Sequence, residues 1–314
     1  MYINTFSAAM RKKFGCKVYK LSLSGGMTCP NRDGTLGERG CIFCSGAGEF
    51  AAPVCGDMSA QIEAAKAHVS FKAGDDCRYI AYFQDYTNTY APVSYLEPLF
   101  ASVIDRPDIA ALSIATRPDC LPDNVIGLLA RLRKKKPVWV ELGLQTIHEK
   151  TAEYIRRGYD LPVFENAVKK LKCAGIEVVV HQIIGLPGET PEMIWQTAEY
   201  ISASGADGIK LHLLYVCRDT DLAEDYTAGK FRTLEPDEYI SLLEGCILRI
   251  SPEVVIHRMT GDGAKKSLVA PLWSADKKKV LNMINSAFRR DNIIQGSLCR
   301  GERPFTAEFS RKGL

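Results

Sequence analysis

Apolar residues along this chain fall into short runs separated by longer stretches of helical spacing. Residues 17–23 (KVYKLSL) alternate and read as a first strand. Residues 78–83 (RYIAYF), 109–115 (IAALSIA), 138–142 (VWVEL), 178–184 (VVVHQII) and 208–216 (GIKLHLLYV) read as five more. Helical spacing occupies residues 60–71, 93–104, 123–135, 191–203 and 236–250. A further helix opens at Pro162 and stops at Gly175, and Asp123 is placed to cap its own helix. Residues 254–259 are a candidate short last strand, and residues 276–290 a terminal helix.

Six alternations of apolar strand and helix predict a parallel sheet with its crossover helices outside. Either an open doubly wound sheet or a partial (β/α) barrel satisfies this. In both, the working face lies at the C-terminal strand ends. Cys29, Gln84, Cys120, Gln145 and Gly185 all follow strand ends. The expected organisation is a leader over residues 1–15, with a helix on the barrel's edge, a partial barrel over 16–250 and a basic, helical extension over 251–314 packed on it.

Residues 29–44 read CPNRDGTLGERGCIFC, three cysteines spaced C-x11-C-x2-C around a glycine-rich loop. Thiolate sets select zinc or iron–sulfur clusters over hard cations. The spacing leaves both readings open. A closed structural zinc needs a fourth ligand, for which Cys55 and His68 are the nearest candidates. A four-iron cluster held by Cys29, Cys41 and Cys44 would instead keep one iron open for a ligand. The other cysteines among the eleven show no ligand spacing, so no second cluster is expected.

Hydrophobic content of 46% and charged content of 25% are those of an ordinary soluble domain. No apolar run approaches a membrane span, and the first fifteen residues lack the core of a secretory signal. Eleven cysteines in such a chain indicate a reducing, cytoplasmic setting and metal or catalytic work.

Together CPNRDGT with CIFC, YFQDYTNTY, ATRPDCLPD, ELGLQT, RRGYD and IIGLPGET resemble the radical S-adenosylmethionine (SAM) superfamily. The resemblance is to its YtqA/YhcC-type branch, related to the elongator catalytic subunit and the oxygen-independent coproporphyrinogen oxidase. It covers nearly the whole chain. It implies a partial (β/α)6 barrel and a [4Fe–4S] cluster on Cys29, Cys41 and Cys44. It also implies SAM on the open iron, cleaved by one electron from a donor such as flavodoxin or ferredoxin to a 5′-deoxyadenosyl radical.

The same resemblance places Phe43 near the adenine and has Ile184, Gly185 and Leu186 cradle it. Arg157 would pair the SAM carboxylate. Glu141 and Gln145 would hold ribose hydroxyls or the amino group. Gln84 stands where many members carry a GGE segment that touches that amino group, a segment this chain lacks. From the residues alone, Phe43 is equally a packing residue, and Glu141 and Gln145 a polar barrel rim. Cys120 would face the cluster's mouth as hydrogen donor or covalent substrate anchor, or else be an inert buried thiol. His181 and His212 read as satisfied strand histidines.

The net charge of +3 is too small to indicate nucleic acid by itself. Its distribution is uneven. Arg131, Arg133 and Lys134 to Lys136 crowd one helix end, as the helix dipole favours. Arg258, Lys265, Lys266, Lys277 to Lys279, Arg289, Arg290, Arg300, Arg303, Arg311 and Lys312 form a second, C-terminal set that suits a phosphate backbone. Relatives of the branch are implicated in wobble-uridine maturation. The leading expectation is therefore a radical SAM enzyme that takes a tRNA anticodon loop and converts a carboxymethylaminomethyl substituent to aminomethyl. A small-molecule or peptide substrate, and a zinc-bearing RNA-binding module without catalysis, are the alternatives.

Overall fold

The computed structural model of the chain describes residues 2–45, 57–69, 77–261 and 266–299. The predicted alternation is realised as an all-parallel, curled half-barrel. Its strands are β1 (Lys17–Leu23), β2 (Cys77–Phe83), β3 (Ile109–Thr116), β4 (Val138–Gln145), β5 (Glu177–Ile184) and β6 (Gly208–Leu213). The single strand expected over 208–216 is split: a two-residue β7 (Val216–Cys217) leaves the sheet. The candidate last strand forms as β8 (Val255–Arg258), and β9 (Leu268–Ala270) pairs antiparallel with β7. The sheet runs β1-β2-β3-β4-β5-β6-β8, so the C-terminal part of the chain supplies the seventh strand.

Helices α1 (Phe6–Phe14), α2 (Met58–Val69), α3 (Val93–Ile104), α4 (Asp123–Arg133), α5 (Glu149–Tyr154), α6 (Leu161–Cys173), α7 (Pro191–Ala203), α8 (Asp221–Thr227), α9 (Pro236–Arg249) and α10 (Lys277–Arg290) complete the described residues. None is long and apolar enough to cross a membrane. Along α10 the buried positions are Val280, Ile284, Ala287 and Phe288, one face of a 3.6-residue period. Outward strand residues such as Leu112, Ile114, Val178, Val180, Ile209 and Leu211 are fully buried beneath the helices.

Inward residues alternate with these, and they change character along the barrel axis. At the N-terminal end Ile80, Ala111 and Trp139 pack with Met10, Phe6 and Phe14 of α1 into an apolar plug. The leader helix was expected on the barrel's edge; it also closes the bottom. It packs against β1 and β8, the two outermost strands. Just before it, the Ile256 amide donates to the Asn4 carbonyl at 2.8 Å and Thr5 bridges Ile256 in parallel. Above the plug the interior turns polar, with Lys20, Tyr82, Ser113, Glu141, His181 and Lys210 contributed by six successive strands.

Trp139 is the largest member of the plug and is 1% exposed. Trp139→Ala is expected to lower the unfolding free energy by about 3–5 kcal/mol, read from urea denaturation. A loss under about 1 kcal/mol would mean that the plug does not seal the barrel.

Candidate active site

The loop after β1 folds back over the barrel mouth through its own backbone. The Arg32 amide donates to the Cys29 carbonyl at 2.8 Å, the Gly40 amide to the Asn31 carbonyl at 2.7 Å, and the Cys44 amide to the Cys41 carbonyl at 2.9 Å. Gly34 and Gly40 take φ of 89° and 74°, a region that side chains rarely adopt. Asn31 anchors the loop to the segment after α5, donating to the Arg156 carbonyl at 2.8 Å while standing 3.6 Å from the Cys41 sulfur.

Cys29, Cys41 and Cys44 line one cavity of about 410 Å³. Among the described residues no three His, Cys, Asp or Glu side chains converge on a single ion. Three thiols on one cavity fit a thiolate-held iron–sulfur cluster, and His68, in the last turn of α2, does not line the cavity. Cys55 lies outside the described residues. Burial, with Cys44 and Cys29 close by, pushes the Cys41 thiol up to about 11.

Phe43, Gln84, Gln145 and Arg157 also line the cavity, as the sequence reading expected. Phe43 is half-buried against the cluster of Ile42, Ile155, Ile183 and Leu214. Gln84 accepts from the Ser22 hydroxyl at 3.2 Å. Gln145 sits at a bulge ending β4, with φ of 68°. Arg157 is 2% exposed, and its Nε and Nη1 donate to the Tyr159 and Thr146 carbonyls at 2.9 and 2.7 Å. Its Nη2 is buried without a hydrogen-bond partner, Glu149 standing 3.5 Å away. A buried, unsatisfied guanidinium N–H beside the thiols is what a ligand carboxylate would complete. Arg156 is instead ion-paired to Asp221.

Three expectations are corrected. Glu141 lies inside β4, not on a rim. Its carboxylate accepts from Lys20 and Ser113, each at 2.7 Å, and from His181 at 2.9 Å, and it pairs with Lys210. Both oxygens are taken, so it has none to offer a ribose. Ile184 and Leu186 face packed cores because strand alternation turns Ile183 inward, and Ile183 lines the cavity. Gly185 is required for its φ of 93°, and a Cβ there would meet Leu234 at 2.8 Å. Cys120 does not line the cavity. It ends the short 3-10 turn Pro118–Cys120, its thiol buried 3.8 Å from the Asp119 carboxylate. Burial and Asp119 push that thiol up to about 12, which keeps it protonated. Beside it, Arg117 and Asp119 grip each other through two bonds at 2.9 and 2.7 Å.

The sequence reading missed Tyr82, Tyr215 and Cys217, which line the cavity, and set Arg258 among the C-terminal cations that suit a phosphate backbone, although it lines the cavity as well. Of the two strand histidines, His181 is satisfied by Glu141, but the buried Nε2 of His212 has no hydrogen-bond partner. Period-two alternation held the signal for Tyr82 and His212. Register, which no single strand reveals, decided which rows meet.

A model of the radical SAM superfamily matches residues 34–201, and a Radical_SAM C-terminal domain model matches residues 206–290. The chain belongs to the radical SAM superfamily, whose members use a [4Fe–4S] cluster and SAM, and it is an enzyme of that class. Its close homologues are of the YtqA/YhcC family. It is 43% identical over 295 residues to the uncharacterized protein YtqA of Bacillus subtilis, covering 93% of this chain and 91% of that one. It is 37% identical over 276 residues to protein YhcC of Escherichia coli K12, covering 88% of each. More distantly, it is 29% identical over 136 residues to the tRNA uridine(34) acetyltransferase of Methanocaldococcus jannaschii, covering 42% of this chain and 25% of that one. The fold is that of the archaeal Elp3 of Methanocaldococcus infernus, with a TM-score of 0.67 at 18% identity over 88% of this chain and 64% of that one.

Burial alone would push the Glu141 carboxyl up, but Lys20, Lys210 and His181 hold it well below its usual 4.5. Its stabilisation is therefore present above the unfolded value and lost as pH falls from that value through the depressed folded one. Glu141→Gln is expected to remove about 3–5 kcal/mol of stability at neutral pH. It should also flatten the acid limb of stability against pH in urea titrations. An unchanged acid limb would show that the carboxylate is not ionised between the lysines.

Proposed function

We propose that this chain is a radical SAM enzyme acting on the wobble uridine of tRNA, starting the conversion of a carboxymethylaminomethyl substituent to aminomethyl by hydrogen abstraction. The observation that carries the cofactor side is the meeting, on one cavity, of three thiols and Arg157, whose Nη2 makes no hydrogen bond and has the Glu149 carboxylate 3.5 Å away. The cluster, when bound, supplies the electron that cleaves SAM to the abstracting radical. In this reading Cys29, Cys41 and Cys44 hold it, Phe43 and Ile183 flank the adenine, Arg157 takes the SAM carboxylate, and Gln84 and Gln145 orient its polar groups. The apolar wall of Ile155, Ile183 and Leu214 excludes water from the reacting centre.

The RNA side rests on α10 and on the wobble-uridine enzyme among the relatives. Lys277, Lys278 and Lys279 are exposed and occupy the first turn of α10, where the helix dipole disfavours cations. The dipole does not account for Lys278 and Lys279, which a phosphate backbone would neutralise. Arg131 and Lys135, by contrast, are paired with Glu97 and Asp105. Lys265, Arg300, Arg303, Arg311 and Lys312 lie outside the described residues. Unstacked anticodon bases are a substrate that proteins read by stacking and by their edges.

Anaerobically reconstituted and reduced protein is expected to form 5′-deoxyadenosine from SAM, and to convert tRNA bearing the carboxymethylaminomethyl group, both followed by mass spectrometry. Cys41→Ala should lose bound iron and both products. Formation of 5′-deoxyadenosine with no change in any tRNA nucleoside would sink the substrate assignment alone.

Arg157→Gln should weaken SAM binding by about tenfold, as expected for a lost charged hydrogen bond. Equilibrium binding to the reconstituted protein measures this. Unaltered affinity would leave Arg157 as a brace of the loop carbonyls only.

A further inference from the structure

Gln84, Asp85, Tyr86 and Thr87 follow β2 in succession, and all four line the cavity. A continuing strand would turn every second residue away. The run stays on the cavity because the chain turns at Tyr86, whose φ of 55° is one that a bulky residue adopts only where its surroundings impose it. Asn88 imposes it: its side chain is fully buried, and its Nδ2 lies 3.1, 2.9 and 3.0 Å from the Phe83, Asp85 and Ala115 carbonyls. The Thr87 amide donates to the Thr28 carbonyl at 3.2 Å, which ties the turn to the residue before Cys29. Of the four, Gln84 alone has a part in the reading above. Backbone strain held this firmly beside a site points to a use for what it displays.

What the turn displays first is a ring. Tyr86 is 39% exposed, the most exposed aromatic among the described residues of the cavity. The Arg32 guanidinium stands over it, 6.0 Å from its centre, and Arg32 itself donates to the Cys44 carbonyl at 2.6 Å. The ring is thus set against the cysteine loop while much of it stays open to a ligand. Unstacked bases of single-stranded RNA are held on such aromatic rings. The adenine of SAM has a different wall. Phe43 packs with Ile183 and Leu214, toward the ends of β5 and β6, whereas Tyr86 follows β2, with β3 and β4 in between.

On either side of the ring in sequence stand polar groups with unmet capacity. Among the described residues the Asp85 carboxyl has no hydrogen bond, and burial raises its pKa. Thr87 is 1% exposed, and its hydroxyl oxygen is buried without a partner. A carboxylate accepts, and a hydroxyl donates as well. A flat ring that offers an N–H between two carbonyls answers both. Uracil does so with N3–H between O2 and O4, whereas cytosine and adenine carry a bare acceptor nitrogen at the corresponding edge.

We propose that Asp85 and Tyr86 form the seat of the substrate's base, with a uracil ring stacked on Tyr86 and its N3–H donated to the Asp85 carboxyl. The inference rests on the wobble-uridine reading and adds to it the two residues that select the base. The adenine of SAM is a flat ring too, so the test separates the two sources.

The test uses the reconstituted full chain saturated with SAM, anaerobic and unreduced, in calorimetric titrations. The probes are an anticodon stem–loop with uridine at the wobble position, the same stem–loop with 3-methyluridine there, and the two free nucleosides. The uridine stem–loop is expected to bind about tenfold more tightly than its 3-methyl form, the scale of one hydrogen bond to a charged group. That preference should vanish in Asp85→Ala. Tyr86→Ala should weaken both stem–loops about tenfold, the scale of one stacked base. Tyr86→Phe should keep the native affinity, with SAM binding unaltered in all three variants. The comparison of uridine with 3-methyluridine needs no variant, so it stands even if a variant does not fold. Equal binding of the two stem–loops, or a preference that survives Asp85→Ala, overturns the seat and leaves the tRNA reading intact. Discrimination between the nucleosides that depends on Asp85, with neither stem–loop bound, supports the seat and removes the tRNA assignment. Binding of none of the probes overturns both. A comparable loss of SAM affinity in Tyr86→Ala would give the ring to adenine and overturn the proposal.

Discussion

One buried carboxylate braces the half-barrel. Glu141 on β4 is held by Lys20 from β1, Ser113 from β3, His181 from β5 and Lys210 from β6, while Lys210 also donates to the Tyr82 hydroxyl of β2 at 3.0 Å. Six strands thus converge on one charged centre. An open sheet lacks the closing hydrogen bonds of a full barrel, and its curvature has to be fixed by what fills the concave face. A buried ion cluster is weak as a source of net stability. It is strong as a constraint on register, because a slip of one residue would strand a charge in the core.

The axial sequence of layers follows from that brace. Below it, the apolar plug and α1 keep water out, so the charges above are screened only from the mouth. Above it, His181, His212 and Arg258 line one wall of the cavity. The cysteine loop fills the opposite side, tied down by Asn31 and by the Arg117–Asp119 pair, which leans on the Arg157 carbonyl at 2.8 Å. Arg117 and Arg157 both stack on the Tyr159 ring, at 5.3 and 4.7 Å from its centre. The RRGYD segment therefore makes one wall of the site, with the Arg157 Nη2 left without a hydrogen bond.

Much of this was legible in the sequence, for stated physical reasons. Alternating apolar runs and helical spacings gave the six strands and their crossovers, and C-x11-C-x2-C within a glycine-rich loop pointed to three cysteines that the fold brings to one cavity. What was illegible depended on register and depth. Glu141 read as a rim residue because a lone Glu in VWVEL carries no sign that Lys20, more than a hundred residues earlier, will meet it. Cys120 read as facing the mouth because it follows a strand end, but it ends the 3-10 turn of Pro118–Cys120, buried and off the cavity lining. Ile184 was chosen one position from the residue that lines the cavity, an error of one step in a period of two.

The same dependence explains why Arg258 changed its meaning. In sequence it stands among C-terminal lysines and arginines, and composition assigns it to a solvated or RNA-facing surface. In the fold, β8 pairs with β6 so that Arg258 stands opposite Lys210, at a register shift between Ile209 and Lys210. A shift there changes which side chains of the edge strand can reach the interior, and such irregularities recur beside active sites because they re-aim a side chain. The edge strand thus delivers a cation to the cavity that a perfectly regular alternation, with His257 on the inner row against Gly208, would not have supplied. The C-terminal part of the chain is a wall of the site as well as its outer cover.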